Sequence, residues 1–393
     1  MNVLVLHSEL GVLQGGGETF TRNLFTAFAQ RGHHVSAAFV ADSRGRWPFP
    51  LPPCIQAIPI PGWWSSNLGQ ATLSSIGRYL PAESHFRKAW DHIQNAIDWR
   101  VFRWHNRRFQ RRVERKFADQ WVHFDVVYVQ SNVRLAGRIA EHHPTVLMLP
   151  GPVSNDYVPI LRLVHAVCAH DDGLIHLRAQ IGDRANELPL GLDTRVFSPG
   201  PTSVRSTLGW TDRDQVVGYV GRLHSIKGVD LLSTAFRRIS RRLPKSRLII
   251  VGHGEEEKNI RKDLAHELSR GLAHIEPAMD QKQLPQWYRA MDIIVMPSRY
   301  ETMSNAVLEG MACGIPFLVS NVGGNTTLAK TGAGWLFESE SASSLSSHLT
   351  EILENRPEME VRGKLGRRHS ENHHSWNATA QRLEEIISSR SGS

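Results

Sequence analysis

Two glutamates, Glu301 and Glu309, stand eight residues apart in the stretch RYETMSNAVLEGMACG, directly after the apolar run DIIVMPS. Thr302 or Ser304 is predicted to cap a helix that starts near Asn305, which leaves Glu301 in the loop before the helix. Eight residues at about 100° each place the two side chains roughly 80° and two turns apart. They therefore do not flank one point, as the acid and base of a glycosidase do, and the pattern predicts contacts to different parts of one elongated ligand.

Glu309 lies among apolar neighbours, so the helix is predicted to be mostly buried. A buried carboxylate needs a polar partner, and the hydroxyl groups of a ligand would supply one. The alternative, an ordinary polar helix position, stays open.

Two cations, Arg222 and Lys227, occur in GYVGRLHSIKGVD, where a predicted strand passes into a predicted helix. Cations beside a helix N-terminus neutralise a diphosphate, and they stabilise it as a leaving group when its charge develops. The alternative is a pair of solvated basic side chains on a loop.

A glycine-rich loop, LQGGGE, also lies between a predicted strand and a predicted helix. Its bare backbone N–H groups would accept a phosphate or a sugar. The loop is not G-x-G-x-x-G, so a dinucleotide site is not predicted, and a simple tight turn is the alternative.

Composition excludes several classes of protein. No apolar run is long enough to span a membrane, and the first residues do not resemble a signal peptide. The three cysteines are far apart, which favours reducing cytosol, and the histidine pairs are adjacent in sequence, so neither set predicts a metal site. We therefore expect a cytoplasmic protein with no metal and no cofactor.

The elements that position these residues read as alternating strands and helices. Apolar runs predict parallel strands in two series, with a turn-rich segment at 187–203 between them. The proline-rich stretch 44–81 is predicted to be irregular, Phe86–Phe117 to be a long helix, and Gly173–Leu177 to be a strand. The predicted fold class is α/β, with two Rossmann-like doubly wound parallel-sheet domains facing across a cleft.

The predicted domains are 1–195, an acceptor-binding domain, and 196–372, a nucleotide-sugar-binding domain. Residues 373–393 are predicted to form a helix that returns to the first domain, with a mobile tail.

The net charge of +8 is concentrated in RVFRWHNRRFQRRVERK, which holds seven Arg and one Lys against one Glu. Phe102, Phe109, Val113 and Phe117 fall on one helical stripe, and arginines cover the remainder. The segment predicts either a solvated basic face or a surface that binds an anionic membrane or a lipid-linked phosphate acceptor. The arginines assigned to this surface are Arg103, Arg107, Arg108, Arg111 and Arg112. No aromatic–glycine RNA motif accompanies them, so nucleic-acid binding is not expected.

Several of these segments together resemble retaining glycosyltransferases of the GT-B fold, family 4. They are VGRLHSIKGVDLL, LIIVGHGEE, MPSRYETMSNAVLEGMACGIP and VGG. The family motif E-G-F-G-x-x-x-L-E-A-M-A stands here as ETMSNAVLEGMA, and the resemblance extends to the N-terminal segment, to GLDTRVFSP and to HSWNATAQRLEEI. A histidine that the family carries after its fourth or fifth strand is absent from VQSN and LPGP.

The resemblance implies a role for each candidate residue. Arg222 and Lys227 would hold the diphosphate of a nucleotide-sugar, and Glu301 the hydroxyls of the donor sugar. Glu309 would bind the ribose. The implied donor contacts also include Gly16, Gly17 and the backbone of Met303, Ser304 and Asn305, and the edge of the nucleobase would face His274, Ile275 and Glu276.

These observations predict transfer of a sugar, with retained configuration, from a UDP- or GDP-linked donor to a hydroxyl acceptor. The acceptor would be a glycan, a lipid-linked molecule or a small molecule, and the enzyme would be cytoplasmic, with peripheral contact to the inner membrane face left open. The alternative is a non-catalytic or hydrolytic sugar-nucleotide-binding protein of the same fold.

Overall fold

A computed structural model of the chain describes residues 1–10, 16–61, 106–149, 153–301 and 303–390. The chain forms two compact units. The first comprises Met1–Ala169, His176–Leu188 and Ala380–Ser393, and the second comprises His170–Ile175 and Pro189–Thr379. Each unit is built on one sheet of parallel strands, as the sequence predicts.

The sheet of the first unit has seven strands in the order β3-β2-β1-β4-β5-β6-β7. Strand β1 is central, since Val3 lies opposite both Val35 of β2 and Val126 of β4. The strands are β1 Asn2–Leu6, β2 His34–Ala41, β3 Ile55–Pro61, β4 Val126–Gln130, β5 Thr145–Leu149, β6 Ala166–Ala169 and β7 Ala185–Glu187.

The sheet of the second unit has six strands in the order β10-β9-β8-β11-β12-β13. Its central strand β8 pairs with both β9 and β11, so it corresponds to β1. The strands are β8 Gln215–Val220, β9 Ser246–Val251, β10 Ala273–Glu276, β11 Ile293–Met296, β12 Phe317–Ser320 and β13 Gly334–Phe337.

Helices connect the parallel strands in both units, because a parallel pair needs a crossover. In chain order the helices are α1 Gly16–Gln30, α2 106–117, α3 Val133–Ala140, α4 Val158–Leu161, α5 Asp171–Ile181, α6 Val204–Thr207, α7 Val229–Arg242, α8 Glu257–Asp263, α9 Ala265–Ser269, α10 Leu284–Arg289, α11 Asn305–Ala312, α12 Gly324–Ala329, α13 Ala342–Glu354, α14 Arg356–His373 and α15 Trp376–Arg390.

The strand order places a switch point in each sheet. The chain proceeds from β1 outward to β3 on one side and from β4 outward to β7 on the other. The same reversal occurs between β8 and β11. Open α/β sheets bind ligands at the carboxyl ends of the strands beside such a point, so both positions are candidate sites.

The last helix is anchored to the first unit by a glutamate. Both carboxylate oxygens of Glu384 accept from the Arg31 guanidinium, at 2.6 and 2.8 Å, and His33 Nε2 lies 2.7 Å from Oε1. Leu383 and Ile386 are buried on the same helix. The final helix is thereby fixed to the first unit by charge and by apolar packing.

Two sequence predictions of local structure are wrong. Gly173–Leu177 lies in helix α5 rather than in a strand, with Leu174 and Leu177 buried and Ile175 exposed. The stretch 44–81, predicted to be irregular, contains strand β3 at its centre. The predicted helix Phe86–Phe117 can be compared only over 106–117, where it is helical.

Candidate functional site

An ion pair spans the switch point of the second unit. Lys227 ends a short 3-10 turn after β8, and Glu301 follows β11. The Lys227 Nζ atom donates to Glu301 Oε2 at 2.8 Å, and Ser298 Oγ donates to the same oxygen at 3.1 Å. The structure therefore brings together two of the three predicted catalytic side chains.

The backbone around this pair is held by close approaches of neighbouring loops. Gly228, the residue after Lys227, has φ +65°, and a Cβ there would lie 2.0 Å from the carbonyl oxygen of Pro297. A Cβ on Gly254 would lie 2.2 Å from the carbonyl oxygen of Leu223. Glycine is therefore required at both positions. These close approaches fix the loop that carries Lys227 against its neighbouring loops.

A second ion pair ties the same loop to the segment before Glu301. Arg299 donates to both carboxylate oxygens of Asp230, at 3.0 and 2.8 Å, and to the carbonyl oxygen of Ser225. The hydrogen bond with Asp230 raises the pKa of Arg299. The sequence does not predict this pair, because nothing in the spacing of Asp230 and Arg299 indicates that they meet.

Arg222, the other predicted cation, is exposed at the carboxyl end of β8. Within the described part of the chain its guanidinium makes no hydrogen bond or ion pair. The backbone of Arg222 is fixed, because the Tyr219 hydroxyl donates to the Arg222 carbonyl at 2.8 Å. An exposed, uncommitted guanidinium is available to an anion from solvent.

Helix α11 begins as the sequence predicts. Ser304 is its N-cap, and Ser304 Oγ accepts from the backbone N–H of Val307 at 3.3 Å. The Ser304 hydroxyl is thus used by the helix, so a predicted donor contact at Ser304 must come from its backbone. Met303 is half-buried and Asn305 exposed at the start of the helix, while Thr302 lies outside the described residues.

Glu309 is buried in this helix and its carboxylate already has protein partners. Tyr288 Oη donates to Oε2 at 2.8 Å, and Gln281 Nε2 donates to Oε1 at 3.1 Å. Burial raises the pKa of Glu309, and the two hydrogen bonds partly oppose this shift. The prediction that a ligand supplies the polar partner of Glu309 is therefore wrong, because Tyr288 and Gln281 already do so. The contact of Glu309 with a ribose stays a prediction.

The predicted nucleobase edge lies on β10. His274 Nε2 is 2.8 Å from Glu276 Oε2, and the His274 ring stacks on Trp287 with centroids 5.5 Å apart and planes 11° apart. The side chain of Ile275 points the other way, into the core of the unit. His274 and Glu276 therefore share one face of the strand, and Ile275 has only its backbone to offer a base.

In the first unit, Gly16 and Gly17 begin helix α1, and residues 11–15 of the glycine loop lie outside the described residues. The contact of Gly16 and Gly17 with a donor stays a prediction.

A cluster of three side chains lies at the same end of the sheet. The structure brings His7, Glu9 and Glu18 together, with one ligand atom of each within 4.8 Å of the others. Burial, followed by the charge of Glu18, raises the pKa of Glu9 to about 7. The sequence analysis did not recognise this group.

The arginine-rich helix shows the predicted division into two faces over residues 106–117. Phe109, Val113 and Phe117 are buried. Arg107, Arg108 and Arg111 are exposed and Arg112 is half-buried, whereas Phe102 and Arg103 lie outside the described residues. Contact with a membrane or an acceptor stays a prediction.

Comparison with protein families identifies the second unit. Residues 202–369, which carry the Lys227–Glu301 pair and Glu309, match the family model described as glycosyl transferases group 1. Residues 202–369 of the second unit therefore resemble group 1 glycosyl transferases. The resemblance predicted from the motifs is therefore confirmed for this domain.

Curated relatives and solved structures extend the likeness. The chain is 30% identical over 236 residues to the D-inositol 3-phosphate glycosyltransferase of Thermobispora bispora, covering 57% of this chain and 55% of the relative. The chain spans about half the length of the curated relatives it matches.

Two solved structures resemble the whole chain. Sucrose-phosphate synthase from Thermosynechococcus elongatus has a TM-score of 0.72 at 18% identity, covering 100% of this chain and 99% of that one. Anabaena HepE in complex with UDP has a TM-score of 0.68 at 16% identity, covering 99% and 100%. The fold of the chain is therefore the GT-B fold, as the resemblance implied.

No helix in the described part of the chain is both long and apolar enough to cross a membrane.

Proposed function

We propose that the chain is a retaining glycosyltransferase, which moves a sugar from a nucleoside-diphosphate sugar to a hydroxyl acceptor. The observation that carries the proposal is the Lys227–Glu301 pair at the switch point of the second unit, inside the segment that matches the family model of group 1 glycosyl transferases. A cation and a carboxylate at that point match the two chemically different ends of such a donor, a diphosphate and a polyhydroxyl ring.

The donor is proposed to lie along the start of helix α11. Lys227 and Arg222 would bind the diphosphate and stabilise its charge as the bond to the sugar breaks. Glu301 would accept from sugar hydroxyls, and Glu309 from the ribose. The backbone N–H groups from Met303 to Asn305, at and just before the start of helix α11, favour anionic or hydroxyl groups at this position.

The resting ion pair supports this assignment energetically. Glu301 is largely buried and would be strongly destabilised without a partner, so Lys227 balances its charge before a donor arrives. A bound donor would present phosphate oxygens to Lys227 and hydroxyls to Glu301. Each side chain would then keep a polar partner when the pair separates.

The donor is proposed to be UDP- or GDP-linked, since the HepE structure contains UDP and a relative from Corynebacterium glutamicum is named as GDP-mannose-dependent. On β10, His274 and Glu276 provide polar atoms on one face and Trp287 an aromatic plane beside them. Hydrogen-bonding groups of this kind distinguish one base from another.

The first unit is proposed to bind the acceptor, and helix α2 to contact an anionic surface. Its exposed arginines would bind the headgroups of an anionic membrane or the phosphate of a lipid-linked acceptor. Sedimentation with vesicles that contain phosphatidylglycerol would test this contact. Binding should weaken as salt is added, and should fall when Arg107 and Arg111 are both replaced with Gln; equal binding to neutral vesicles would contradict it.

A turnover assay tests the proposed reaction. The purified chain is incubated with a panel of UDP- and GDP-sugars, with and without candidate acceptors, and released nucleoside diphosphate and sugar product are separated by chromatography. We expect release to depend on one base and to rise with an acceptor. Release of free sugar without stimulation by any acceptor would instead indicate a hydrolase, and binding without turnover on every donor would indicate a binding protein.

A further inference from the structure

The cluster of His7, Glu9 and Glu18 lies at the switch point of the first unit, outside the proposed donor site. His7 is the first residue after β1, and Glu18 lies in the first turn of α1. His7 Nε2 is 3.4 Å from Glu18 Oε1. Both residues are buried, whereas Glu9 is partly exposed, so the cluster has a route to solvent.

A chain of buried hydrogen bonds fixes the orientation of the His7 ring. His7 Nδ1 lies 3.1 Å from Thr21 Oγ1, and Thr21 Oγ1 donates to Gln130 Oε1 at 3.4 Å. The same amide oxygen accepts from the Tyr128 hydroxyl at 2.9 Å. When the hydroxyl hydrogen of Thr21 goes to Gln130, Thr21 accepts from His7, and a neutral His7 ring then carries its proton on Nδ1.

In this tautomer the lone pair of His7 Nε2 faces the carboxylate of Glu18, 3.4 Å away. Histidines that bind metals are held in the same way, with one ring nitrogen donating to a fixed acceptor and the other free for the ion. Thr21 and Gln130 therefore act as a supporting layer behind a ligand, and they join β1 to the neighbouring β4 at the switch point.

The spacing also suits an ion. Two ligand atoms each about 2.1 Å from a tetrahedral ion lie about 3.4 Å apart, which is the separation between His7 and Glu18. One imidazole with two carboxylates is a donor set for zinc or manganese, whereas magnesium prefers oxygen ligands alone. Three protein ligands leave at least one coordination position open.

We propose that His7, Glu9 and Glu18 bind a first-row divalent cation at the carboxyl end of β1. The ion would neutralise the adjacent carboxylates, connect the end of β1 to the start of α1, and leave an open position for water or a ligand oxygen. This site is independent of the proposed transferase activity, because it uses none of the residues of the donor site.

Calorimetric titration of the full chain, freed of metal by a chelator, tests the proposal. Zn²⁺ and Mn²⁺ are titrated into the unaltered protein and into Glu18→Gln, with Mg²⁺ as the comparison ion. We expect one Zn²⁺ per chain, binding at least about tenfold weaker in Glu18→Gln, and little binding of Mg²⁺. Glu141→Gln is the matched control, because Glu141 and His142 form an exposed His–Glu pair in the same unit, 4.0 Å apart.

Two further variants keep the test independent of folding. Glu9→Gln alters the most exposed ligand, and Thr21→Val keeps all three ligands but removes the support of His7, so each should weaken Zn²⁺ binding by about 10- to 100-fold. With Co²⁺ in place of Zn²⁺, visible absorption bands should appear in the unaltered protein and not in Glu18→Gln. Absence of saturable binding in the unaltered protein overturns the proposal, as does binding that Glu141→Gln reduces and the three cluster variants do not.

Discussion

The two sheets have the same strand order around their central strands, yet the side chains at their switch points carry opposite charge. Beside β1 the first unit gathers an imidazole and two carboxylates. Beside β8 the second unit presents Lys227, which pairs with Glu301, and Arg222. The topology thus places a switch point in each sheet, and the residues after the central strand give the two switch points opposite charge.

The two switch points also differ in the contacts that hold their side chains in place. In the second unit, close backbone approaches and the Arg299–Asp230 pair fix the loop that carries Lys227. In the first unit, buried side chains hold His7 through Thr21 and Gln130. A diphosphate site made of loop residues needs a rigid backbone, whereas an ion site needs rigid side chains.

The largest expected effect is a loss of stability when the close backbone approach at Gly228 in the second unit is disturbed. Gly228→Ala should lower the free energy of unfolding by about 4 kcal/mol, because a Cβ at this left-handed position meets the Pro297 carbonyl oxygen. Denaturant unfolding measures the change. Gly32→Ala in the first unit is the control: it has φ +90° and open space around its Cβ, so about 1 kcal/mol is expected. Equal losses in the two variants would contradict the account.

The next effect concerns the carboxylates of the first unit. The folded protein raises the pKa of Glu9 from 4.5 to about 7, so the unfolded chain releases this proton first as the pH rises. The contribution of Glu9 to the free energy of unfolding should therefore be fully present below pH 4.5 and be lost, by up to about 3 kcal/mol, as the pH rises through 7. Glu9→Gln should remove this loss, making the variant the more stable protein at pH 8 in chelator and no more stable at pH 4. Thermal unfolding at the two pH values measures it, and parallel profiles would refute the prediction.

Removing Glu309 should have a smaller effect on stability. Glu309→Ala leaves the buried hydroxyl of Tyr288 without its acceptor, at a cost of about 2 kcal/mol, and should lower transfer by at least about tenfold. Adding Tyr288→Phe to Glu309→Ala should recover part of the stability but none of the transfer. Recovery of transfer would show that Glu309 acts only through packing.

The smallest expected effect on transfer is the loss of one charged contact at the donor site, to which the loss of the partner of the buried Glu301 adds a cost in stability. Lys227→Ala should lower transfer by at least about tenfold, or about 1.4 kcal/mol, because the departing diphosphate loses a cation. Initial rates at saturating donor measure it. Lys245→Ala is the matched control, since Lys245 is an exposed lysine of the same unit, away from the switch point. Unchanged turnover in both Lys227→Ala and Glu309→Ala would rule out the site assignment.

The sequence predicts most of the second unit, because its chemistry follows the strands directly. Lys227 and Glu301 each come a few residues after a continuous apolar run, so parallel pairing alone brings them to the same edge. Ser304 is recognisable as a cap from its type and its place before an apolar helix. The partners of Glu309 were not predictable, since Tyr288 and Gln281 have no periodic relation to α11.

The failures have local physical causes. Leu174 and Leu177 are buried at a spacing of three while Ile175 faces solvent, and this spacing is that of a helix. A five-residue apolar run is too short to distinguish the helical period from the strand period in the sequence. Strand β3 was missed because Pro59 and Pro61 argue against a strand, and the structure places β3 at the edge of its sheet, where prolines are tolerated. The sequence does not predict the cluster around His7, because Glu9 and Glu18 are separated by the glycine loop and no regular spacing brings them together.

A crystal structure of the full chain with a bound nucleoside-diphosphate sugar tests most directly whether the switch point of the second unit binds the donor. We expect diphosphate oxygens within hydrogen-bonding distance of Lys227 Nζ and the Arg222 guanidinium, with Glu301 accepting from sugar hydroxyls. A diphosphate bound elsewhere, with Lys227 still paired to Glu301, would contradict it.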